Sequence, residues 1–239
     1  MANEDMVVVA VVARKGGSGK STLVKALASA ALAGGKSALV IDTDPQGDLT
    51  RWFARALANG LAPAGASFAT VKNTAELEAT IHSAYDAQDR DFVFIDTAGV
   101  GGEWTDEIAM MADHLVTPVV ASYTDLEVGA QTVAWFKGLH ARVPDPAKLP
   151  PHHVVLTQLS SRTTALEMKM LQDASRLFPV METLMQHRNV YREMDAQGFL
   201  GEIVRRLKAS PNPLQRGQAR NYQEALVESN QLLNDILEA

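Results

Sequence analysis

The chain has 239 residues, of which 46% are hydrophobic and none is cysteine, and its formal net charge is −6. Without cysteine it can have no disulfide, thiolate metal site or cysteine nucleophile, which suits a cytoplasmic protein. The acidic balance excludes a surface that attracts polyanions everywhere, so any nucleic-acid contact must come from a local patch. The length suits one α/β domain over residues 1–239. No apolar run approaches the roughly 18 residues of a membrane span, and Glu4 and Asp5 before the first apolar run do not fit a secretory signal.

Val7 to Ala13 is almost wholly Val and Ala and reads as a strand buried on both faces. Arg14-Lys15-Gly16-Gly17-Ser18-Gly19-Lys20-Ser21-Thr22 follows, and Ser21 to Ala33 is rich in Ala and Leu, so it reads as helix. Strand, glycine loop, Lys-Ser and helix form the arrangement that holds a nucleotide's phosphates. Gly16, Gly17 and Gly19 let backbone N–H groups approach phosphate oxygens. The helix presents its positive end to the same anion. Lys20 is placed to reach the β- and γ-phosphates, and the Ser21 hydroxyl to bind Mg²⁺. The usual pattern has glycine where this chain has Arg14, and Lys15 is an extra lysine.

Ser37 to Ile41 reads as the second strand and delivers Asp42-Thr43-Asp44-Pro45-Gln46-Gly47 at its carboxyl end. Ligand chemistry gathers at that end of open α/β sheets, and two carboxylates beside a phosphate loop suit Mg²⁺ and water handling. Leu49 to Ala58 is expected to be helical, Phe68 to Val71 a short strand, and Asn73 or Thr74 the cap of a helix to about Ala87. Asp91 to Ile95 is an apolar strand that ends in Asp96, the arrangement that sets a carboxylate beside Mg²⁺. Gly99-Val100-Gly101-Gly102 is expected to be a mobile loop, followed by a helix from Glu103 to Ala112.

His114 to Val120 is a strand that Pro118 places near an edge or a kink. Asp125 is expected to cap a helix to about Ala141. A proline-rich connection leads to a strand from His152 to Gln158, then a helix from Ser161 to Leu177. The six histidines show no metal-ligand spacing and read as structural or surface residues. The last helix is expected from about Gln218 to Leu237, with an acidic polar side. Its apolar residues suit core or dimer packing. Between Arg188 and Arg220 the chain reverses its charge. Arg188, Arg192, Arg205, Arg206, Lys208, Arg216 and Arg220 outnumber Glu193, Asp195 and Glu202. Such a patch would either contact nucleic-acid phosphates without reading bases or form a solvated basic face that balances acids elsewhere.

The pattern Lys15-Gly16-Gly17-Ser18-Gly19-Lys20-Ser21 resembles the deviant Walker A box of the ParA/MinD ATPases. Arg188 to Gly198 is similar to a late segment of plasmid-type ParA proteins. Leu49-Thr50-Arg51-Trp52, Ser160 to Thr164 and Gly198-Phe199-Leu200 look closer still to the ParA-like protein of T-DNA transfer. The resemblance implies a mostly parallel twisted sheet flanked by helices, the P-loop NTPase fold. It implies ATP and Mg²⁺, with Lys15 reaching phosphate across a nucleotide-bound homodimer. It further implies that Asp42 and Asp96 join Ser21 around the metal and that Asp44 orients the attacking water. The implied task is ATP-dependent DNA binding in plasmid partition or conjugative transfer. Hydrolysis would be slow and stimulated by a ParB-like protein or a relaxosome component, on the nucleoid. A MinD-type membrane-positioning ATPase and a P-loop metabolic ligase are the alternatives. Thr157-Gln158 stands where many relatives carry Asn-Arg near the adenine, and Ala98-Gly99 where prolines are usual.

Overall fold

The computed structural model describes residues 6–99 and 102–239. Glu4, Asp5 and the Val100-Gly101 part of the expected mobile loop lie outside the described residues. In chain order the elements are β1 (Val7–Val11), α1 (Lys20–Ala33), β2 (Ala38–Asp42), α2 (Asp48–Ala58), β3 (Ala66–Thr70) and α3 (Thr74–Ala87). Next come β4 (Phe92–Asp96), α4 (Glu103–Met111), β5 (His114–Val120), α5 (Tyr123–His140), β6 (His152–Leu159) and α6 (Ala165–Leu177). The chain closes with β7 (Met185–Gln186), α7 (Asn189–Gln197), α8 (Leu200–Lys208) and α9 (Pro213–Glu238).

The strands form one seven-stranded sheet in the order β3-β2-β4-β1-β5-β6-β7, and every pairing is parallel. Successive strand residues point to opposite faces. Val9 and Val11 pack toward α1, α2 and the C-terminal helices, and Val8, Ala10 and Val12 toward α3, α4 and α5. That two-sided burial is why β1 reads as an unbroken apolar run. It also holds the carboxyl ends of β1, β2 and β4 in fixed register, with Val11 opposite Asp96 and Asp42 opposite Asp96.

Four local expectations are corrected. β5 lies inside the sheet, between β1 and β6. It tolerates Pro118 because β1 pairs with it only as far as Val116, so the missing N–H faces a place where the ladder has ended. Ser122, not Asp125, caps α5; its side chain accepts from the Asp125 N–H. α6 starts at Ala165 because Thr164 and Glu167 form a reciprocal capping box. α9 starts at Pro213, with the Asn212 side chain accepting from Leu214 N–H. It buries Tyr222, Leu232, Leu233 and Ile236 in the core cluster shared with α1 and α8, which decides for core packing. Gly198 joins α7 to α8 at φ +140°, where an added Cβ would meet Leu61 at 2.9 Å.

The histidines near the start of β5 and β6 pair with neighbours. His114 Nδ1 lies 3.3 Å from His153 Nε2, and His152 Nε2 lies 2.8 Å from the Thr117 hydroxyl. No group of three or more His, Asp or Glu suited to a metal occurs among the described residues. Burial, then the neighbouring histidine, lowers both His152 and His153 to about 4. Their folded pKa lies below the unfolded value near 6.5, so the unfolded chain binds more protons between these limits. Stability is therefore expected to fall as pH drops from about 6.5 toward 4. Thermal melts from pH 7 to pH 5 check this: the loss should be smaller in His152→Gln, and equal losses would show that these rings are not the cause.

Candidate functional site

The turn after β1 wraps the amino end of α1. Gly17 and Gly19 have φ of +77° and +97°, and nothing lies within 4 Å of a Cβ built on either. Both conformations suit glycine, and both leave the backbone open to the cleft above it. Gly19 caps α1 without a side-chain hydrogen bond, so the first N–H groups of the helix are left for an anion. The cleft has a volume of about 610 Å³ and is bordered by Gly16, Lys20, Thr22, Asp44, Arg55 and Asp195 among others. Lys20 is only 8% exposed, and it forms no ion pair among the described residues. A nearly dry ammonium that makes no contact ion pair is costly, and an anionic ligand relieves it.

At the floor, the Ser21 hydroxyl donates to Asp96 Oδ2 at 2.6 Å. Asp96 is 2% exposed, and its other oxygen, Oδ1, has no hydrogen-bond partner. Burial pushes its carboxyl up to about 7, against the lowering effect of the Ser21 bond and the Lys20 charge. A hard oxygen donor with an orphaned lone pair beside a serine hydroxyl suits Mg²⁺, which keeps most of its ligands as water and phosphate. Asp42 stands beside Asp96 in register, but both of its oxygens are already engaged. Oδ1 accepts from Asp44 N–H at 3.0 Å, and Oδ2 accepts from the Thr50 N–H and hydroxyl at 3.1 Å each. Of the three residues expected around the metal, Ser21 and Asp96 meet directly, while Asp42 pins the loop that carries Asp44. That loop closes as a turn, Gly47 N–H donating to Asp44 O at 2.9 Å and Gln46 N–H to Asp44 Oδ1 at 2.8 Å. Asp44 borders the cleft.

Lys15 precedes Gly16 and faces α5, not the cleft. Its ammonium lies 2.7 Å from Asp125 Oδ1, with the lysine side chain 46% exposed. Ser122 Oγ donates to the same carboxylate at 2.6 Å. Burial raises Asp125, and the Lys15 and Ser122 hydrogen bonds outweigh it, so its carboxyl sits below the usual range. The sequence reading placed Asp125 as a cap and missed it as the Lys15 partner. It also missed Lys25, which pairs with Asp195 and lies 5.5 Å from the Trp52 ring centre. A lysine inside the otherwise apolar run Leu23 to Leu27 was the available signal, since a buried lysine needs a partner.

A second pocket of about 350 Å³ adjoins the cleft, sharing Gly19, Thr22, Gln158 and Asp195 with it. Thr157, Gln186, Arg188 and Tyr191 also line it, and Gln158 takes a left-handed φ of +59° there. It opens directly off the glycine loop, and its volume lies in the range of small-ligand pockets. Arg188 and Arg192 border this pocket, so they are set apart from the other tail cations. Arg205, Arg206 and Lys208 end α8. Arg216 donates to the Ser210 and Pro211 carbonyls at the start of α9. Arg205 pairs with Glu202 and Arg220 with Glu224. Arg206 reaches Gln197. Among the described residues Arg192, Arg206, Lys208 and Arg216 have no ion-pair partner.

The profile of the family described as VirC1 protein matches residues 6–239. The chain belongs to the VirC1 family. It is 24% identical over 227 residues to protein virC1 of Rhizobium rhizogenes, covering 94% of this chain and 96% of that one. Its fold is shared with pnob8 ParA, at a TM-score of 0.70 and 17% identity over 98% of this chain and 99% of that one. It is shared likewise with the Cyanothece McdA(D38A)-ATP complex, at a TM-score of 0.66 and 15% identity over 94% and 98%. The sheet is thus that of the ParA/MinD P-loop NTPases, as the deviant glycine loop implied. Among the described residues no helix is long and apolar enough to cross a membrane.

Removing the ammonium that faces the cleft should remove the attraction for a triphosphate. Lys20→Ala is expected to weaken ATP binding by roughly a hundredfold or more, the scale of an unpaired buried charge. Titration calorimetry checks it, and affinity equal to that of the unmodified chain would refute the role.

Proposed function

We propose that residues 1–239 act as one ATPase domain, a dimerising DNA-binding switch of plasmid partition or conjugative DNA transfer. The observation that carries the reading is the cleft floor: a partnerless Lys20 beside an Asp96 whose one oxygen holds Ser21 and whose other holds nothing. Residues 16–22 would cradle the phosphates of ATP, with Lys20 on the terminal ones. Ser21 and Asp96 would hold Mg²⁺, which supplies neutralisation of phosphate charge. Asp44, fixed by its turn at the cleft edge, would orient the attacking water. The cleft residues contain no strong general base, so turnover should be slow and rest on positioning.

Lys15 would serve the pairing step. In the single chain its half-exposed ammonium is held by Asp125, a mostly buried carboxylate that keeps the Ser122 hydroxyl when the lysine leaves. Exchanging that pair for a triphosphate oxygen in a second protomer costs little and gains a stronger, charge-assisted contact. Pairing would then bring two copies of the basic end of α8 onto one surface for DNA. The burial of α9 against α1 and α8 supports this over membrane attachment, because its apolar stripe is already covered. The expected setting is cytoplasmic and nucleoid-associated. A ParB-like protein or a relaxosome component would stimulate hydrolysis.

Two outcomes test the reading. Asp44→Ala is expected to keep ATP affinity while phosphate release slows by about a hundredfold or more; release at the unmodified rate would take Asp44 out of the reaction. If about five tail cations touch phosphates, log K for DNA in the presence of ATP should fall against log salt with a slope of about −4.5. Arg205→Glu with Arg206→Glu should flatten that slope by about 2. An unchanged slope and affinity would place the DNA elsewhere.

A further inference from the structure

The wall of the pocket beside the phosphate loop is held from outside by one carboxylate on the C-terminal helix. Glu228 lies on α9, does not itself border the pocket, and has a side chain 10% exposed. Three of its contacts are residues that do border it. The Gln186 N–H donates to Glu228 Oε1 at 3.2 Å. The Tyr191 hydroxyl donates to the same oxygen at 2.7 Å. Arg188 Nε and one terminal nitrogen donate to Oε2 at 3.4 Å each. These donors come from β7, from the junction before α7, and from α7 itself. Without Glu228 they share no acceptor. Glu224, one turn earlier, holds the other Arg188 nitrogen at 3.2 Å and is shared with Arg220 at the surface.

We infer that Glu228 is a positioning residue for the base pocket, setting the Gln186, Arg188 and Tyr191 wall against a nucleobase. The inference rests on the nucleotide reading of the cleft. A carboxylate accepting several hydrogen bonds fixes its donors more firmly than neutral contacts do, because charge-assisted bonds are about twice as strong. It ties the Arg188 guanidinium and the Tyr191 hydroxyl to α9. Its own charge is met by Arg188, so the carboxylate organises the wall without standing unpaired behind it. The carboxylate acts through the residues it holds, without touching the ligand, so it affects base binding and leaves phosphate binding alone.

The full chain carrying Glu228→Gln, which keeps the shape and halves the acceptor, separates the two by titration with ATP and with inorganic tripolyphosphate. The expected result is ATP affinity down by roughly tenfold, as for a lost charged hydrogen bond, with tripolyphosphate affinity unchanged. Tyr191→Phe, which removes one donor and keeps the ring, should move the same ratio by a smaller factor and serves if the first variant does not fold. ATP affinity unchanged in both variants, or ATP and tripolyphosphate weakened equally, would overturn the positioning role. Failure of the unmodified chain to bind either ligand would instead sink the nucleotide reading beneath it.

Discussion

A lysine and a carboxylate stand almost dry at the carboxyl end of the central strands, each short of partners. Lys20 is held there by the first turn of α1, and Asp96 by the end of β4. Desolvation of this pair is the cost that the seven-stranded sheet carries. Their mutual attraction offsets part of it, since Lys20 lowers the Asp96 pKa while burial raises it. What remains is met by a ligand with negative charge toward the lysine and a cation toward the carboxylate. A triphosphate with Mg²⁺ has that polarity, and the open backbone of Gly17 and Gly19 gives it room.

The Lys15 contact is built differently from the floor. Floor groups sit on the end of β4 and the first turn of α1, both packed into the core, where movement would break it. The Lys15–Asp125 pair joins the glycine loop to α5 across a half-exposed contact, so it can part while Asp125 keeps the Ser122 hydroxyl. On the other side Asp195 takes Lys25 from α1 and Arg55 from α2 at once, and because Lys25 is buried it needs that partner, so this contact is fixed. Fixed charges with one exchangeable lysine, Lys15, suit a site whose ligand also recruits a second chain.

The legible parts of the fold were those whose causes lie close together in sequence. β1, the glycine loop and α1 declare themselves because strand, turn and helix share one continuous stretch. Asp96 declares itself by ending an apolar run. Thr164 with Glu167, and Asn212 before Pro213, were signals of the same kind, and the two helix starts they set were nonetheless placed several residues away. Contacts between distant segments left no local trace. Lys15 and Asp125 are 110 positions apart, and Lys25 and Asp195 are 170 apart. α8 was not foreseen as a helix, and Arg188 read as one of seven alike cations until α9 placed two glutamates beside it. Pro118 suggested an edge because composition does not show that β1 stops short of it.

The claim on which the functional reading turns is that the triphosphate, and not the diphosphate, joins two chains through Lys15. Light scattering on a size-exclusion column, run with a non-hydrolysable ATP analogue and then with ADP, measures it directly. The expected result is twice the chain mass with the analogue, one chain mass with ADP, and one chain mass for Lys15→Ala with either. A single-chain mass for the unmodified protein saturated with the analogue would contradict it.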